Sequence, residues 1–403
     1  MMDIELLPGQ PRDEATLTDA FGWADIPGAL GGVAQAGIKS TGRDDLIVLL
    51  ARGATAAVTT RSTAAAAPCI WSRARVPSHT QAVVINAGNA NASTGLRGME
   101  DTRHMASEVA RHIGCTVDEV LVCSTGVIGV PLPMDRVTQG IAEACRSWGA
   151  SSDRLARAIL TTDLVPKTAA AIGAGARIAG FAKGSGMIHP DLATMLAFLV
   201  TNAQIEANAL QGLLEDITAC TFNAVTVDGD MSTNDTVIMQ STGEGPSIVA
   251  GTPEWDAFKH AVTAVCRDLS RAIARDGEGA EHLITVEIAG LETDEAAREA
   301  ARAVCRSPLV KTAIAGRDAN WGRIVGALGA VFVPGLDCMD LDVAGIPVLR
   351  NGTPLAFDEE SASNALAADE VVIRIRLPGS GWGEAWGCDF TEGYIRINAD
   401  YRS

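Results

Sequence analysis

The chain has 403 residues, enough to bury a large core and to form more than one domain. A formal net charge of −17 argues against nucleic acid and anionic membrane as partners. It leaves an anionic small molecule open, because the charge of a pocket is independent of the global sum. Forty-one glycines, Ala-rich stretches and few aromatics suit a compact α/β or α+β protein with tight turns.

Residues 1–30 read as a loose lead-in with Pro8, Pro11 and Pro27. Short β-type runs follow at Asp45 to Leu50 and Gln81 to Ile85. Glu100 to His112 reads as a helix, with Met105 and Val109 at helical spacing and Gly114 ending it. Leu121 and Val122 then lead into the turn Ser124-Thr125-Gly126. Met195 to Val200 is an unbroken apolar run of the kind that forms a buried strand. Gln204 to Cys220 is an amphipathic helix with Leu210, Leu213, Leu214 and Ile217 on its apolar stripe. The clearest helix runs from Pro253 to Asp276, where Phe258, Val262, Cys266, Leu269 and Ile273 recur at spacings of three and four. A strand at Leu283 to Ile288, a charged helix at Asp294 to Arg306 and an alternating strand at Val372 to Leu377 complete the pattern. The change of texture near residue 285 divides the chain into a domain of 1–284 and a smaller one of 285–403.

Nine cysteines lie scattered, odd in number and without a C-x-x-C, and read as free thiols in a reducing compartment. The acidic N-terminus has no signal-peptide pattern, and no apolar stretch is long enough to span a bilayer, so a cytoplasmic location is expected.

Several motifs fail on inspection. Gly173-Ala-Gly175 begins like a dinucleotide fingerprint but has Ile178 where the third Gly belongs, and Gly88 to Gly95 lacks the following Lys-Ser/Thr of a phosphate loop. Both read as tight turns. Asp228 to Asp235 starts like a calcium loop, yet Thr233 and Met239 occupy the positions that need Gly and Glu. It reads as a polar turn. The six His show no ligand spacing, so no metal is implied, and there is no G-x-S-x-G elbow. Three glycine-rich, hydroxyl-bearing turns remain: Asn86 to Gly95, Ser124 to Gly129, and Lys183 to Gly186. Each would let backbone N–H groups approach a ligand. Thr194 opens the apolar run that begins at Met195; it reads either as a β-branched residue at a strand start or as a nucleophile displayed there.

The motifs NAGNANASTG, CSTGVIG, AILTTD, AKGSGMIHPDLATML, TFNAVTVDGDMSTNDT, DGEGA, SPLVKTAIAGRDANWGR and INADYRS occur in this order from about Gly37 to Ser403. Together they closely resemble the ornithine acetyltransferase (glutamate N-acetyltransferase) family. The resemblance implies an αββα sandwich with a smaller C-terminal α/β part that completes the substrate site. It implies self-cleavage between Ala193 and Thr194, after which Thr194 carries an α-amine with an ordinary pKa of roughly 7.7–8.0. That amine can act as general base for the hydroxyl on the same residue, which accounts for the missing His-based dyad.

Carried over by position, Thr125 and Gly126 would form the oxyanion hole. Thr161, Lys183, Glu278, Asn398 and Ser403 would contact substrate. The implied reaction moves an acetyl group from N-acetylornithine to glutamate through acyl-Thr194, in arginine biosynthesis. No metal or bound organic cofactor is implied; acetyl-CoA is a possible second donor, and cleaved pairs would associate as an α2β2 heterotetramer. The chain departs from the usual pattern at Glu281-His282 (usually Thr-Lys), Leu164, Leu192, Asn202 and Ala319. A Thr-nucleophile amidohydrolase or acyltransferase acting on another N-acyl amine is the competing reading.

Overall fold

The computed structural model describes residues 15–189 and 195–400. They fall into two compact units. Of these, one comprises residues 15–189, 195–223 and 230–269; the other comprises 224–229 and 270–400.

The larger unit is organised by the strand Leu46–Thr59, which pairs with Leu30–Ala34 and, through Thr55, with Ser78–Asn89, and from Thr55 onward also pairs with Thr236–Ser241. The sequence pattern marks only its beginning, because beyond Leu50 the strand is built of Ala, Thr and Gly. The register with Ser78–Asn89 shifts between Leu50 and Gly53. A Cβ on Gly53 would lie 2.2 Å from the Ser241 carbonyl oxygen, so only glycine fits there. From this bend the sheet continues on one side through Ser78–Asn89 to Val120–Val127. On the other it runs through Thr236–Ser241, Leu196–Thr201 and Ala176–Lys183 to Lys167–Gly173.

Alternate residues of the long strand serve opposite faces, as a period of two requires. Leu46, Val48 and Leu50 pack with Met105, Val109, Val137 and Ile141 of the helices Gly95–Ile113 and Met134–Ala144. Ile47 and Leu49 belong instead to an inner core. That core joins Val83, Ile85 and Leu121 of one half of the sheet to Phe181, Leu196, Phe198, Val200 and Ile238 of the other. The outer side of the second half is covered by Ala207–Cys220, whose Gln211 amide bonds both backbone groups of Ala57, and by Pro253–Arg275, against which Gly173 and Gly180 pack closely. Helices outside and a sheet doubled on itself inside make the expected αββα sandwich.

Gly173-Ala174-Gly175-Ala176 is a hairpin turn with Ala174 and Gly175 both at positive φ, a structural use of the glycines that had suggested a nucleotide loop. The smaller unit holds a seven-stranded mixed sheet in the order Thr353–Pro354, Ile346–Arg350, Asp340–Val343, Glu370–Arg376, Leu283–Leu291, Gly381–Cys388, Val225–Thr226. Helix Asp294–Arg306 lies so close to Gly381–Cys388 that a Cβ on Gly383 would meet the Arg298 nitrogen at 2.3 Å.

Phe181 sits at the centre of the inner core, fully buried, with its ring centroid 5.4 Å from Trp23 and 5.3 Å from Phe198. Phe181→Ala is expected to lower unfolding stability by about 3–5 kcal/mol, measured by urea denaturation of the full chain.

Candidate active site

Where the two layers of the sandwich end, three sequence-distant segments meet. Ser124, Thr125 and Gly126, expected as a turn, lie within the strand Val120–Val127 and pair with Asn86 to Asn89. Gly126 has φ +131°, and a Cβ there would stand 2.3 Å from the Gly88 carbonyl carbon, so the close approach of the two backbones demands glycine. The neighbouring loop is fixed by its own amides. Asn86 donates to the Asn89 carbonyl at 2.8 Å, and the Ser124 hydroxyl donates to Asn86 Oδ1 at 2.6 Å.

The third segment is the one that resembled a calcium loop. Asn234 donates through one Nδ2 to the carbonyls of Ala90 (2.6 Å) and Ser124 (2.9 Å), tying both turns to the start of Thr236–Ser241. Asp235 accepts the Met195 N–H at 2.9 Å, so it anchors the residue that follows Thr194. Burial pushes the Asp235 carboxyl well above the usual carboxylate range, against the opposing effects of the Met195 N–H and the Lys183 charge.

Lys183 ends the strand Ala176–Lys183 and is only 1 % exposed. Its Nζ donates to the Thr161 hydroxyl at 2.8 Å, which brings together two residues expected at the substrate site. Between them lies Asp163, whose side chain is fully buried. Asp163 Oδ1 accepts from Lys167 Nζ at 2.9 Å and from the Gly184 N–H at 2.6 Å, while Oδ2 lies 3.7 Å from Lys183 Nζ. Burial by itself would raise the Asp163 carboxyl, but the Lys183 and Lys167 ammoniums and these hydrogen bonds prevail and hold it well below its ordinary value. The carboxylate therefore stays charged and keeps two lysines in place.

Lys39 adds a third cation. Asp45 accepts the backbone N–H groups of Ala36, Ile38 and Lys39, which shapes the loop that presents it, and Lys39 Nζ reaches the Ala158 carbonyl at 2.8 Å. Burial pushes the Lys39 ammonium down to about 8; Asp45 and Asp163 oppose this while Lys183 adds to it. Lys39, Asp163 and Lys167 were not singled out from the sequence, and Asn234 and Asp235 stood out only as part of a polar turn. Asp163 carried the best signal, lying in the same LTTD motif as Thr161.

Glu278 and Asn398, both in the smaller unit, are also brought together: Asn398 Nδ2 donates to Glu278 Oε2 at 2.8 Å. Ala193, Thr194 and Ser403 lie outside the described residues. The cysteines are free, and burial pushes the thiol of Cys69, which meets the Thr236 hydroxyl, up to about 12, which disfavours its thiolate at neutral pH. Among the described residues no helix is long and apolar enough to cross a membrane.

Comparison with known proteins gives the class to which this fold belongs, an acyltransferase. Residues 31–403 match the ArgJ family model. The arginine biosynthesis bifunctional protein ArgJ of Thermus thermophilus is 48 % identical over 378 residues, covering 92 % of this chain and 97 % of that one. The protein of the same description from Symbiobacterium thermophilum is 46 % identical over 415 residues, covering 99 % and 100 %. A crystal structure of the ArgJ protein of Bacillus halodurans superposes with a TM-score of 0.50 at 45 % identity, covering 51 % of this chain and 98 % of that one. The chain belongs to the ArgJ family and is an acyltransferase of arginine biosynthesis.

Because the Asp163 carboxyl is depressed in the folded state, its stabilisation is present above the unfolded value of 3.8 and is lost as pH falls below it toward the folded value. Asp163→Asn leaves two buried ammoniums without their carboxylate and is expected to cost about 3–5 kcal/mol near neutral pH. Urea titrations at a series of pH values should show this deficit shrinking on the acid side, as the wild-type carboxyl also takes up a proton.

Proposed function

We propose that this protein transfers an acetyl group from N-acetylornithine to glutamate through an ester on Thr194, after self-cleavage between Ala193 and Thr194. In the cleavage, Thr194 Oγ attacks the Ala193 carbonyl, the amide becomes an ester, and water releases the two chains. The freed α-amine then takes the hydroxyl proton as Oγ attacks the acetyl carbonyl of the donor. The C–N bond breaks, the leaving amine carries away the proton, and the acceptor amine attacks the acyl ester in the reverse sense. Thr125 and Gly126 stabilise the oxyanion in both halves, one through a hydroxyl and the other through a backbone N–H.

The observation that carries this reading is the junction at Asp235. A buried carboxyl grips the N–H of the residue after Thr194, and its neighbour Asn234 grips the carbonyl just before Thr125. One pair of adjacent side chains therefore holds Met195 and Ser124, the chain neighbours of the nucleophile and of an oxyanion donor in this reading, which supports it. The length of the solved Bacillus halodurans chain gives further support, since 98 % of it is matched by only 51 % of this one, as a precursor divided near its middle would give.

Lys183, held by Thr161 and Asp163, supplies positive charge for a substrate carboxylate, with Lys39 nearby. Glu278, Asn398 and Ser403 complete substrate binding, acetyl-CoA is a second acetyl donor, and two cleaved pairs associate as α2β2 in the cytoplasm.

Thr194→Ala is expected to remain one 403-residue chain by denaturing intact-mass measurement and to transfer no acetyl group, whereas the wild type gives two fragments meeting at 193/194. An uncut wild-type chain would remove the general base from this mechanism. Thr125→Ala is expected to reduce kcat for acetyl transfer by about 10²–10³-fold with little change in KM, measured with N-acetylornithine and glutamate.

A further inference from the structure

The pair Glu281-His282, where the chain departs from the usual Thr-Lys, lies beside Asp389 at the open end of the smaller unit's sheet. Leu283 pairs with Cys388 in the antiparallel register of the two strands, so His282 and Asp389 occupy the next rung, and the Asp389 N–H donates to the His282 carbonyl. Asp389 Oδ1 accepts the backbone N–H groups of Glu281 (2.8 Å) and His282 (3.0 Å). Its Oδ2 is buried without a hydrogen-bond partner, in a residue only 1 % exposed. A carboxylate oxygen left so is costly unless something positive meets it.

The His282 ring is set for the same purpose. Nδ1 lies 2.7 Å from the Ala368 carbonyl oxygen, which can only accept, so the neutral ring carries its proton on Nδ1 and its lone pair on Nε2. A ring N–H given to a backbone carbonyl is the usual support for a metal-ligating histidine. One ligand atom from each of Glu281, His282 and Asp389 lies within 4.8 Å of the others, and this is the one such group of three among the described residues.

Ligands around a tetrahedral zinc ion stand roughly 3.4 Å apart, given bond lengths of about 2.0–2.2 Å. His282 and Asp389 are buried and fixed, while Glu281 is exposed, so its side chain can close the remaining gap by a rotamer change. The Lys311 ammonium donates to the carbonyl and meets the sulfur of Cys388, and it makes no hydrogen bond to Oδ2.

We propose that Glu281, His282 and Asp389 bind one divalent transition-metal ion, with zinc the best fit to one imidazole and two carboxylates. Three protein ligands leave a coordination position for water or a small carboxylate. Glu281 also lines a cavity of about 600 Å³ with Gly279, Phe390, Thr391 and Arg396, which gives the ion a route to solvent. The ion would pin the segment before Leu283–Leu291 to the segment after Gly381–Cys388.

The test is titration of the purified full-length protein with Zn²⁺ by calorimetry and with Co²⁺ by visible absorption, beside Glu281→Gln and His282→Gln. The expected result is one equivalent bound, an affinity at least about tenfold weaker in each variant, and a cobalt spectrum without thiolate charge-transfer bands. Zn²⁺ should also raise the melting midpoint of the wild type and not of the variants. Glu281 is exposed, so its variant folds even where a buried substitution would not. No binding by folded wild type, equal binding by Glu281→Gln, or a thiolate-type cobalt spectrum would each overturn the proposal.

Discussion

The strand Leu46–Thr59 is the constraint on which the larger unit depends. Its two ends pair with different partners, and at Gly53 it approaches the Ser241 carbonyl so closely that no side chain can be added. Without that approach, Phe181 and Phe198 would have no facing layer of Ile47, Val83 and Ile85 to bury against, and the hydrophobic gain that holds the sandwich would be lost. The site follows from the same geometry. Residues at the ends of strands in the two layers become neighbours at one mouth, and Asn234 locks them with two hydrogen bonds from a single nitrogen.

Electrostatics at this mouth runs against the global charge. The chain carries −17 overall, yet Lys39, Lys167 and Lys183 cluster around one buried carboxylate. Three cations in low dielectric are tolerable because Asp163, the Thr161 hydroxyl and backbone carbonyls share them. Together with Asp45 and Asp163 they form a buried network of paired charges within an acidic protein.

What the sequence disclosed follows the strength of its patterns. The helices Pro253–Arg275 and Asp294–Arg306 were legible because their apolar residues recur with helical period, and Glu370–Arg376 because it alternates strictly between buried and half-buried. The strands Lys167–Gly173 and Ala176–Lys183 were not, since their Ala-rich runs have low β-propensity and gain their conformation from pairing and from the helix above them. The helix Gly95–Ile113 begins earlier than its periodicity suggests, because the last glycine of the expected loop is its first residue. At the site, the glycine-rich turns and Lys183 stood out. Asp163 and Asp235 did not, because their importance lies in partners 20 to 40 residues away, the Gly184 and Met195 N–H groups. The ligating triad was hidden for the same reason, with 107 residues separating His282 from Asp389.

The divided pairing of Leu46–Thr59 also sets an order of events during synthesis. Its first half can pair as soon as residues through Asn89 have emerged, whereas its second half must wait for Thr236–Ser241, and Gln240 contacts the Ala51 carbonyl across 189 residues of chain. The inner faces of the first layer are therefore exposed on the nascent chain until late in translation, the interval in which aggregation competes with folding. The strand Leu196–Thr201 lies between Ala176–Lys183 and Thr236–Ser241 and is completed only when both are present. Until that moment Phe198 and Val200 have no complete layer to bury in, so this strand is among the last parts of the inner core to close.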